Sequence, residues 1–264
     1  MNAPVNSPSI SPVAVLPAPR PGIAVLPGYS RSSAKSRVRW IASSNESPVP
    51  PSAAVQEAIA AAGAGANRYP SLAANELTAA IATRLGLASD QLLAGAGSLA
   101  LLQLLLSCYA GPGDEVVYAW RSYEAYPILT GVTGATAVEI PLGPAAEHDL
   151  HAMAGAITNA TRVVIVCSPN NPTGTVTGRG ELLQFLELVP PRVLVVLDEA
   201  YREFTLPTDD NTDLLAAFPN LAILRTFSKA YGLAGLRVGY LATSPGIAAI
   251  LRRAAPPFPV SRVA

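Results

Sequence analysis

The chain has 264 residues, of which 50% are hydrophobic and 14% are charged, with 18 basic and 18 acidic residues. This length can bury a substantial core, so collagen-like, coiled-coil and wholly disordered chains are excluded. A formal net charge of zero gives no broad attraction to nucleic acid or to an anionic bilayer. We therefore expect a globular protein with neither nucleic acid nor a membrane as its partner.

The N-terminal region is rich in proline and has no basic residue before Arg20. Prolines interrupt the apolar run that a secretory signal needs, so we expect a cytoplasmic protein. Residues 1–25 are predicted to be a disordered tail, and residues 26–52 an irregular arm. Residues 53–264 are predicted to form one large domain.

The first helix is predicted to begin after Ser52, a suitable N-cap, and a second helix is predicted over residues 74–85, before Gly86. The uncharged segment 91–113 is long enough to cross a bilayer. Its glycines leave only residues 99–109 as continuous helix, so the segment favours a buried core helix over a membrane span.

Apolar runs and amphipathic helices alternate through the rest of the chain. Strands are predicted over residues 114–119, 136–140, 162–167, 193–197, 221–225 and 238–241, and helices over residues 123–130, 149–158 and 180–188. Strands without polar alternation are buried on both faces, so this order predicts an α/β fold in three layers, with helices covering a mostly parallel sheet. Ligands of such sheets bind beyond the carboxyl ends of the strands.

Polar residues follow three of these strands. Asn171 lies in a proline-rich loop, which is either a tight turn or part of a crevice. Asp198 directly follows an apolar strand, where an ionised carboxylate is costly unless it meets a cation; a helix N-cap is the structural alternative. Lys229 is one of two lysines in the chain, with Lys35. Desolvation in a crevice would lower its pKa and make it a candidate to form a Schiff base, whereas a surface lysine would have no such role.

The glycine-rich segment before residue 98 opens a predicted helix whose free N–H groups suit a phosphate. It also matches a loose dinucleotide fingerprint, but no acidic residue ends the next strand, which argues against a nicotinamide site. Cys108 and Cys167 lie in apolar runs and are expected to be buried thiols. His148 and His151 have no third ligand cluster, so no metal is expected.

Several motifs occur together in a fixed order. They are residues 168–174 (Ser-Pro-Asn-Asn-Pro-Thr-Gly), residues 198–201 (Asp-Glu-Ala-Tyr), and Ser228-Lys229 followed eight positions later by Arg237. This set resembles the fold-type I pyridoxal-phosphate-dependent aminotransferases, and within them the histidinol-phosphate aminotransferase family and its aromatic (phenylalanine) branch. Residues 45–48, 68–70 and 120–126 extend the resemblance, which covers about residues 25 to 264.

The resemblance implies roles for three catalytic residues. Lys229 would form the Schiff base with pyridoxal 5′-phosphate and later carry a proton to and from the substrate α-carbon. Asp198 would pair with the protonated pyridine nitrogen, and Tyr201, together with Asn171, would hydrogen-bond the phenolate oxygen of the cofactor. Tyr123 would stack on the ring.

The phosphate and the dimer are further implications of the resemblance. Ser228, Arg237 and the backbone N–H groups of Ser98 and Leu99 would hold the cofactor phosphate. Tyr69 would reach the phosphate of a neighbouring subunit, which implies a homodimer with shared sites. The substrates would be an amino donor, either histidinol phosphate or an aromatic amino acid, and a 2-oxo acid such as 2-oxoglutarate.

Three features depart from the family pattern. The mildest is Ser47, which stands where the family usually has an asparagine. Leu99 and Ala100 stand where the family usually has an acidic residue after the phosphate turn. The family also continues past residues 256–261 into a C-terminal small domain that carries the arginine for the substrate carboxylate, and we expect this chain to lack it. Three hypotheses follow: an aminotransferase of reduced activity, a non-catalytic remnant that binds the cofactor or uses the fold for interaction, and a decarboxylase relative of the same fold.

Overall fold

The computed structural model describes residues 19–28, 43–206 and 210–264. Nine helices of the described residues are labelled in chain order: α1 (Pro21–Ala24), α2 (Ala53–Gly63), α3 (Asn75–Leu85), α4 (Ser98–Tyr109), α5 (Ala125–Thr133), α6 (Leu150–Gly155), α7 (Arg179–Leu188), α8 (Leu214–Ala217) and α9 (Pro245–Ala254). The strands are β1 (Leu92–Gly95), β2 (Glu115–Trp120), β3 (Thr136–Pro141), β4 (Thr161–Cys167), β5 (Leu194–Asp198), β6 (Leu221–Thr226) and β7 (Gly239–Thr243).

The strands form one seven-stranded sheet in the order β1-β7-β6-β5-β4-β2-β3. Strands β2 to β6 pair in parallel, and β7 runs antiparallel to both β6 and β1. The predicted mostly parallel sheet is confirmed. The sequence analysis did not predict β1, which has four residues, or α9, which follows β7.

Two apolar cores cover the two faces of the sheet and give the predicted three layers. One core joins the sheet to α4, α5 and α9, and the other joins it to α3, α6, α7 and α8. In β4, Val163 to Val166 are completely buried, as expected for β-branched residues that pack against helices on both sides. The middle of β4 therefore has no polar side chain to place inside the sheet.

Helix α4 is the uncharged helix predicted over residues 99–109. It begins after Gly97, whose φ is 86°, and it buries Leu105 and Leu106 completely. The predicted core helix is confirmed here. In the part of the chain that the structure describes, no helix has the length and apolar character needed to cross a bilayer.

The N-terminal segments differ in part from the prediction. Residues 1–18 of the predicted disordered tail and residues 29–42 of the predicted arm lie outside the described residues. Residues 21–24, which fall within the predicted tail, form α1 instead, and Arg20 Nη2 donates to the Val132 carbonyl of α5 at 2.6 Å. The reason is packing: a Cβ at Gly131 would lie 2.5 Å from the Leu26 side chain, so this glycine lets the segment lie against α5.

A buried ion pair joins the carboxyl ends of β5 and β6. Glu199 Oε2 lies 2.7 Å from the Arg225 guanidinium, and the side chains are 1% and 5% exposed. Asn211 donates to the other oxygen of Glu199 at 2.8 Å, and Asp210 accepts from Arg225 at 3.0 Å. The pair and its hydrogen bonds fix the turn before α8 against the strands that carry Asp198 and Lys229.

A glycine permits close contact between β7 and the start of α4. A Cβ on Gly239 would lie 2.6 Å from the Ser98 nitrogen and 2.8 Å from the Arg225 carbonyl oxygen. Both neighbours are backbone atoms, so neither can move aside as a flexible side chain would. A side chain at residue 239 would therefore force the first turn of α4 away from the sheet.

The buried pair gives a first prediction. Glu199→Gln should lower the free energy of unfolding by about 3 kcal/mol, because it leaves the buried Arg225 charge with only the partly exposed Asp210 as its counterion. Asp213→Asn is the matched control, since its partner Arg179 is at 2.6 Å but Asp213 is 68% exposed, and it should cost less than ~1 kcal/mol. Urea denaturation measures both. An equal decrease in the free energy of unfolding in both variants would contradict a larger contribution from the buried pair.

The close approach at residue 239 gives a second prediction. Gly239→Ala should lower the free energy of unfolding by about 1–3 kcal/mol because the added methyl overpacks a backbone contact. Gly246→Ala in α9 is the control, since its Cβ would meet nothing within 4 Å. The control should be neutral or stabilising by up to ~1 kcal/mol. A neutral Gly239→Ala in the same urea titration would argue against the tight contact.

Candidate active site

The carboxyl ends of the parallel strands open into a cavity of about 460 Å³. This is where open α/β sheets bind their ligands. The cavity is lined by the ends of β4, β5 and β6, the loop after β2, the first turn of α4 and the arm segment 43–46. All but one of the predicted site residues line this cavity. The residues that line it are Ser98, Leu99, Tyr123, Asn171, Asp198, Tyr201, Ser228, Lys229 and Arg237.

The exception is Tyr69. Its side chain is 79% exposed and stacks on Phe258, with ring centroids 4.4 Å apart. The structure therefore does not bring Tyr69 to the cavity of its own chain. A role at another subunit's site stays a prediction.

A buried carboxylate lines the cavity. Asp198, the last residue of β5, is 5% exposed. Its Oδ1 accepts from the Ala200 backbone at 3.2 Å, and its Oδ2 accepts from the Tyr126 hydroxyl at 2.7 Å. Burial raises the pKa of Asp198, while the Tyr126 and Ala200 hydrogen bonds and the charge of Lys229 oppose this rise. A cation placed beside this carboxylate would stabilise its ionised form.

Cys167 lies next to Asp198, since the two residues are Cα partners in the β4–β5 register. Burial raises the pKa of the Cys167 thiol to about 12, so it is a neutral group and not a nucleophile near neutral pH. The predicted burial is confirmed for Cys167, whereas Cys108 is partly exposed. In the ranges that the structure describes, no group of three or more histidine, cysteine or acidic residues is placed to hold a metal.

A second group of residues that line the cavity consists of hydrogen-bond donors. Arg237 has a φ of 55°, and its Nη1 donates to the Ser228 hydroxyl at 3.3 Å. The Thr226 hydroxyl donates to the Ser228 oxygen at 3.0 Å. The first turn of α4, at Ser98 and Leu99, adds backbone N–H groups and the positive end of the helix dipole. A guanidinium, a hydroxyl and a helix N-terminus together are a donor set typical of phosphate.

Lys229 lies in the same cavity and is half-buried. Its Nζ donates to the Ser44 carbonyl at 2.7 Å and lies 5.5 Å from the centroid of the Tyr201 ring. Burial lowers the pKa of Lys229, and Arg237 adds to this, while Glu46 and Asp198 oppose it. A larger fraction of neutral amine makes a better nucleophile toward a carbonyl carbon.

The arm segment closes one side of the cavity. Asn45 Nδ2 donates to the Tyr201 hydroxyl at 2.8 Å, beside the contact between Ser44 and Lys229. Ser44 and Asn45 have φ values of 75° and 49°, in the left-handed region that costs energy for residues other than glycine. Such strain is typical of functional segments.

Four residues with clear contacts to the site had no role in the sequence analysis. They are Ser44, Asn45, Tyr126 and Thr226. Each lies in or beside a motif quoted for the resemblance, which was the available signal. Their hydrogen bonds join residues far apart in the chain, or depend on rotamers, so spacing alone could not assign the contacts.

Comparison with known proteins gives the family of this chain. The family model described as "Aminotransferase class I and II" matches residues 42–264. The aromatic amino acid aminotransferase of Streptomyces coelicolor is 52% identical over 235 residues, which cover 88% of this chain and 66% of that protein. The aromatic amino acid aminotransferase of Thermobifida fusca is 52% identical over 251 residues, which cover 94% of this chain and 68% of that protein.

Two solved structures that resemble this chain are also aminotransferases. A histidinol-phosphate aminotransferase from Sinorhizobium meliloti, crystallised with pyridoxal-5′-phosphate, has a TM-score of 0.79 and 31% identity, and the match covers 83% of this chain and 60% of that one. Aspartate aminotransferase from Thermus thermophilus has a TM-score of 0.74 at 23% identity, with 83% of this chain and 62% of that one covered, which supports the fold. This chain spans about two thirds of the length of the relatives that it matches, and it belongs to the class I and II aminotransferases.

Proposed function

We propose that this chain uses pyridoxal 5′-phosphate to move an amino group from an aromatic amino acid, or from histidinol phosphate, to a 2-oxo acid such as 2-oxoglutarate. One observation carries the proposal: Lys229 shares its cavity with a buried carboxylate, Asp198, and with the phosphate-type donors Ser228 and Arg237. Pyridoxal phosphate carries an aldehyde, a pyridine nitrogen and a phosphate, which are the groups that such residues bind.

The residues fit this cofactor on two counts. A protonated ring nitrogen would stabilise the ionised form of Asp198, whose pKa burial raises. In the donor group, a Cβ on Gly97 would lie 2.6 Å from Arg237 Nη2, so the glycine allows the guanidinium to lie close to the start of α4. This closeness lets backbone and side-chain donors act on one phosphate.

When bound, the cofactor supplies a conjugated ring that accepts the electron pair left on the substrate α-carbon after its proton departs. Lys229 Nζ would hold the cofactor through its aldehyde group and would then carry that proton. Asp198 would keep the proton on the ring nitrogen, Asn171 and Tyr201 would hold the phenolate oxygen, and Tyr123 would lie against the ring face. The arm segment 43–46 lines the cavity and contacts Lys229 through the Ser44 carbonyl, so it would limit the entry of water there.

The amino donor that we favour is an aromatic amino acid. The support comes from the two relatives at 52% identity, whose names specify aromatic amino acids, and from the resemblance of residues 120–126 to the aromatic branch. Histidinol phosphate is the second candidate, supported by the Sinorhizobium meliloti structure at 31% identity. Loss of a carboxyl group without transfer of the amine would identify a decarboxylase, and cofactor binding without turnover would identify a non-catalytic protein.

The proposal includes a cytoplasmic homodimer. The structural support for the dimer is the position of Tyr69, which is exposed and does not line the cavity of its own chain. An exposed aromatic side chain stacked on Phe258 offers a second subunit a rigid surface. Sedimentation of the purified protein in the presence of pyridoxal phosphate measures the subunit number directly.

The cofactor proposal has a spectroscopic test. Pyridoxal phosphate added to the purified protein should give a visible absorbance band that differs from that of the free aldehyde. The band should disappear in Lys229→Ala, because it requires a bond between the aldehyde carbon and this amine. Lys35→Ala is the matched control, since Lys35 is the other lysine of the chain, and it should keep the band. A band that persists without Lys229, or no band in folded protein, would contradict the proposed cofactor site.

The substrate proposal is tested on the loaded protein. Phenylalanine should discharge the Lys229-dependent band and yield phenylpyruvate, and 2-oxoglutarate should restore the band. Histidinol phosphate is tested in parallel. If neither donor changes the band, the proposed transamination is wrong although the cofactor site stands.

A further inference from the structure

Tyr126 contacts the carboxylate of Asp198 without lining the cavity itself. It lies in the first turn of α5 and is completely buried, and its hydroxyl donates to Asp198 Oδ2 at 2.7 Å across 72 positions of the chain. Any effect of Tyr126 on a ligand therefore has to act through Asp198.

The direction of this hydrogen bond is fixed by protonation. Burial and then the neighbouring Asp198 raise the pKa of Tyr126 well above its ordinary value, so the phenol remains protonated and is the donor. The other groups that face Asp198 are the Cys167 thiol and the Lys229 amine. Without the phenol, the carboxylate would keep the Ala200 backbone N–H at 3.2 Å as its hydrogen bond.

Neighbouring rings hold Tyr126 in place. The Tyr118 ring lies 5.7 Å from it at an angle of 59°, and the Tyr123 ring lies 5.7 Å from it at 85°. These tilted and edge-to-face arrangements are favourable for aromatic pairs. Because Tyr123 also lines the cavity, the same aromatic cluster supports both the wall of the site and the carboxylate at its end.

We propose that Tyr126 is a positioning residue that keeps Asp198 ionised and oriented toward the ring nitrogen of the cofactor. The inference rests on the proposed function and adds to it a residue that touches neither cofactor nor substrate. A hydrogen bond to a charged acceptor is stronger than one to a neutral acceptor, so its loss should be felt at the ionised carboxylate.

The test compares two variants that each remove one hydroxyl from the same aromatic cluster. Tyr126→Phe should weaken the binding of pyridoxal phosphate by about tenfold, measured by titration of the Lys229-dependent band. Tyr118→Phe is the matched control, because the Tyr118 hydroxyl donates to Glu139 at 3.2 Å, away from the cavity. The control should bind the cofactor as the unsubstituted protein does.

A second measurement uses the protein without cofactor. In the folded protein the pKa of Asp198 is raised above its ordinary value of 3.8. Stability therefore falls as the pH rises from the ordinary pKa to the folded-state pKa. Loss of the Tyr126 hydrogen bond in Tyr126→Phe should raise the folded-state pKa of Asp198 further. Its destabilisation should therefore be larger at about pH 8 than at about pH 5. A purely structural loss of one hydroxyl would be the same at both pH values.

The outcomes separate the inference from the function beneath it. Weaker cofactor binding in Tyr126→Phe alone, with a pH-dependent loss of stability, supports the positioning role. If Tyr126→Phe binds pyridoxal phosphate with unchanged affinity, the positioning role is overturned while the proposed function stands. Absence of the Lys229-dependent band in the unsubstituted protein overturns the proposed function, and the inference with it.

Discussion

The parallel register of β4, β5 and β6 is the constraint on which the rest of the site depends. It places Cys167 beside Asp198 and Asp198 beside Leu224, so the chain leaves all three strands at one edge of the sheet. Backbone hydrogen bonds continue past the strands, from Ser168 to Asp198 and from Glu199 to Leu224. Loops that begin from a shared and rigid edge can bring a carboxylate, an amine and a guanidinium into one cavity.

Two neighbouring carboxylates at this edge have opposite environments. Glu199 is completed within the protein, since Arg225 and Asn211 satisfy both of its oxygens. Asp198 has hydrogen bonds from Tyr126 and Ala200 but faces the cavity. Burial raises the pKa of both carboxyls. At Glu199 the guanidinium of Arg225 opposes this rise by direct contact, whereas at Asp198 a cation that arrived in the cavity would do so.

Much of the fold could be predicted because the central strands are continuous apolar runs, and the site because polar residues stand directly after them. Strand β1 was missed because it has only four residues, ends at Gly95 and is followed closely by Gly97. The helix α9 could have been predicted, because Ser244-Pro245 is a typical helix start. The contact between Tyr126 and Asp198 could not, since it depends on how α5 packs against the sheet and not on any local pattern.

The arm contact has a kinetic consequence. Lys229 is held by the Ser44 carbonyl at 2.7 Å, in a turn where two consecutive residues have positive φ. If Lys229 reacts with an aldehyde as proposed, its amine would first have to leave this hydrogen bond. The arm would then affect how fast a cofactor binds, whereas the residues after the strands would determine how tightly it binds.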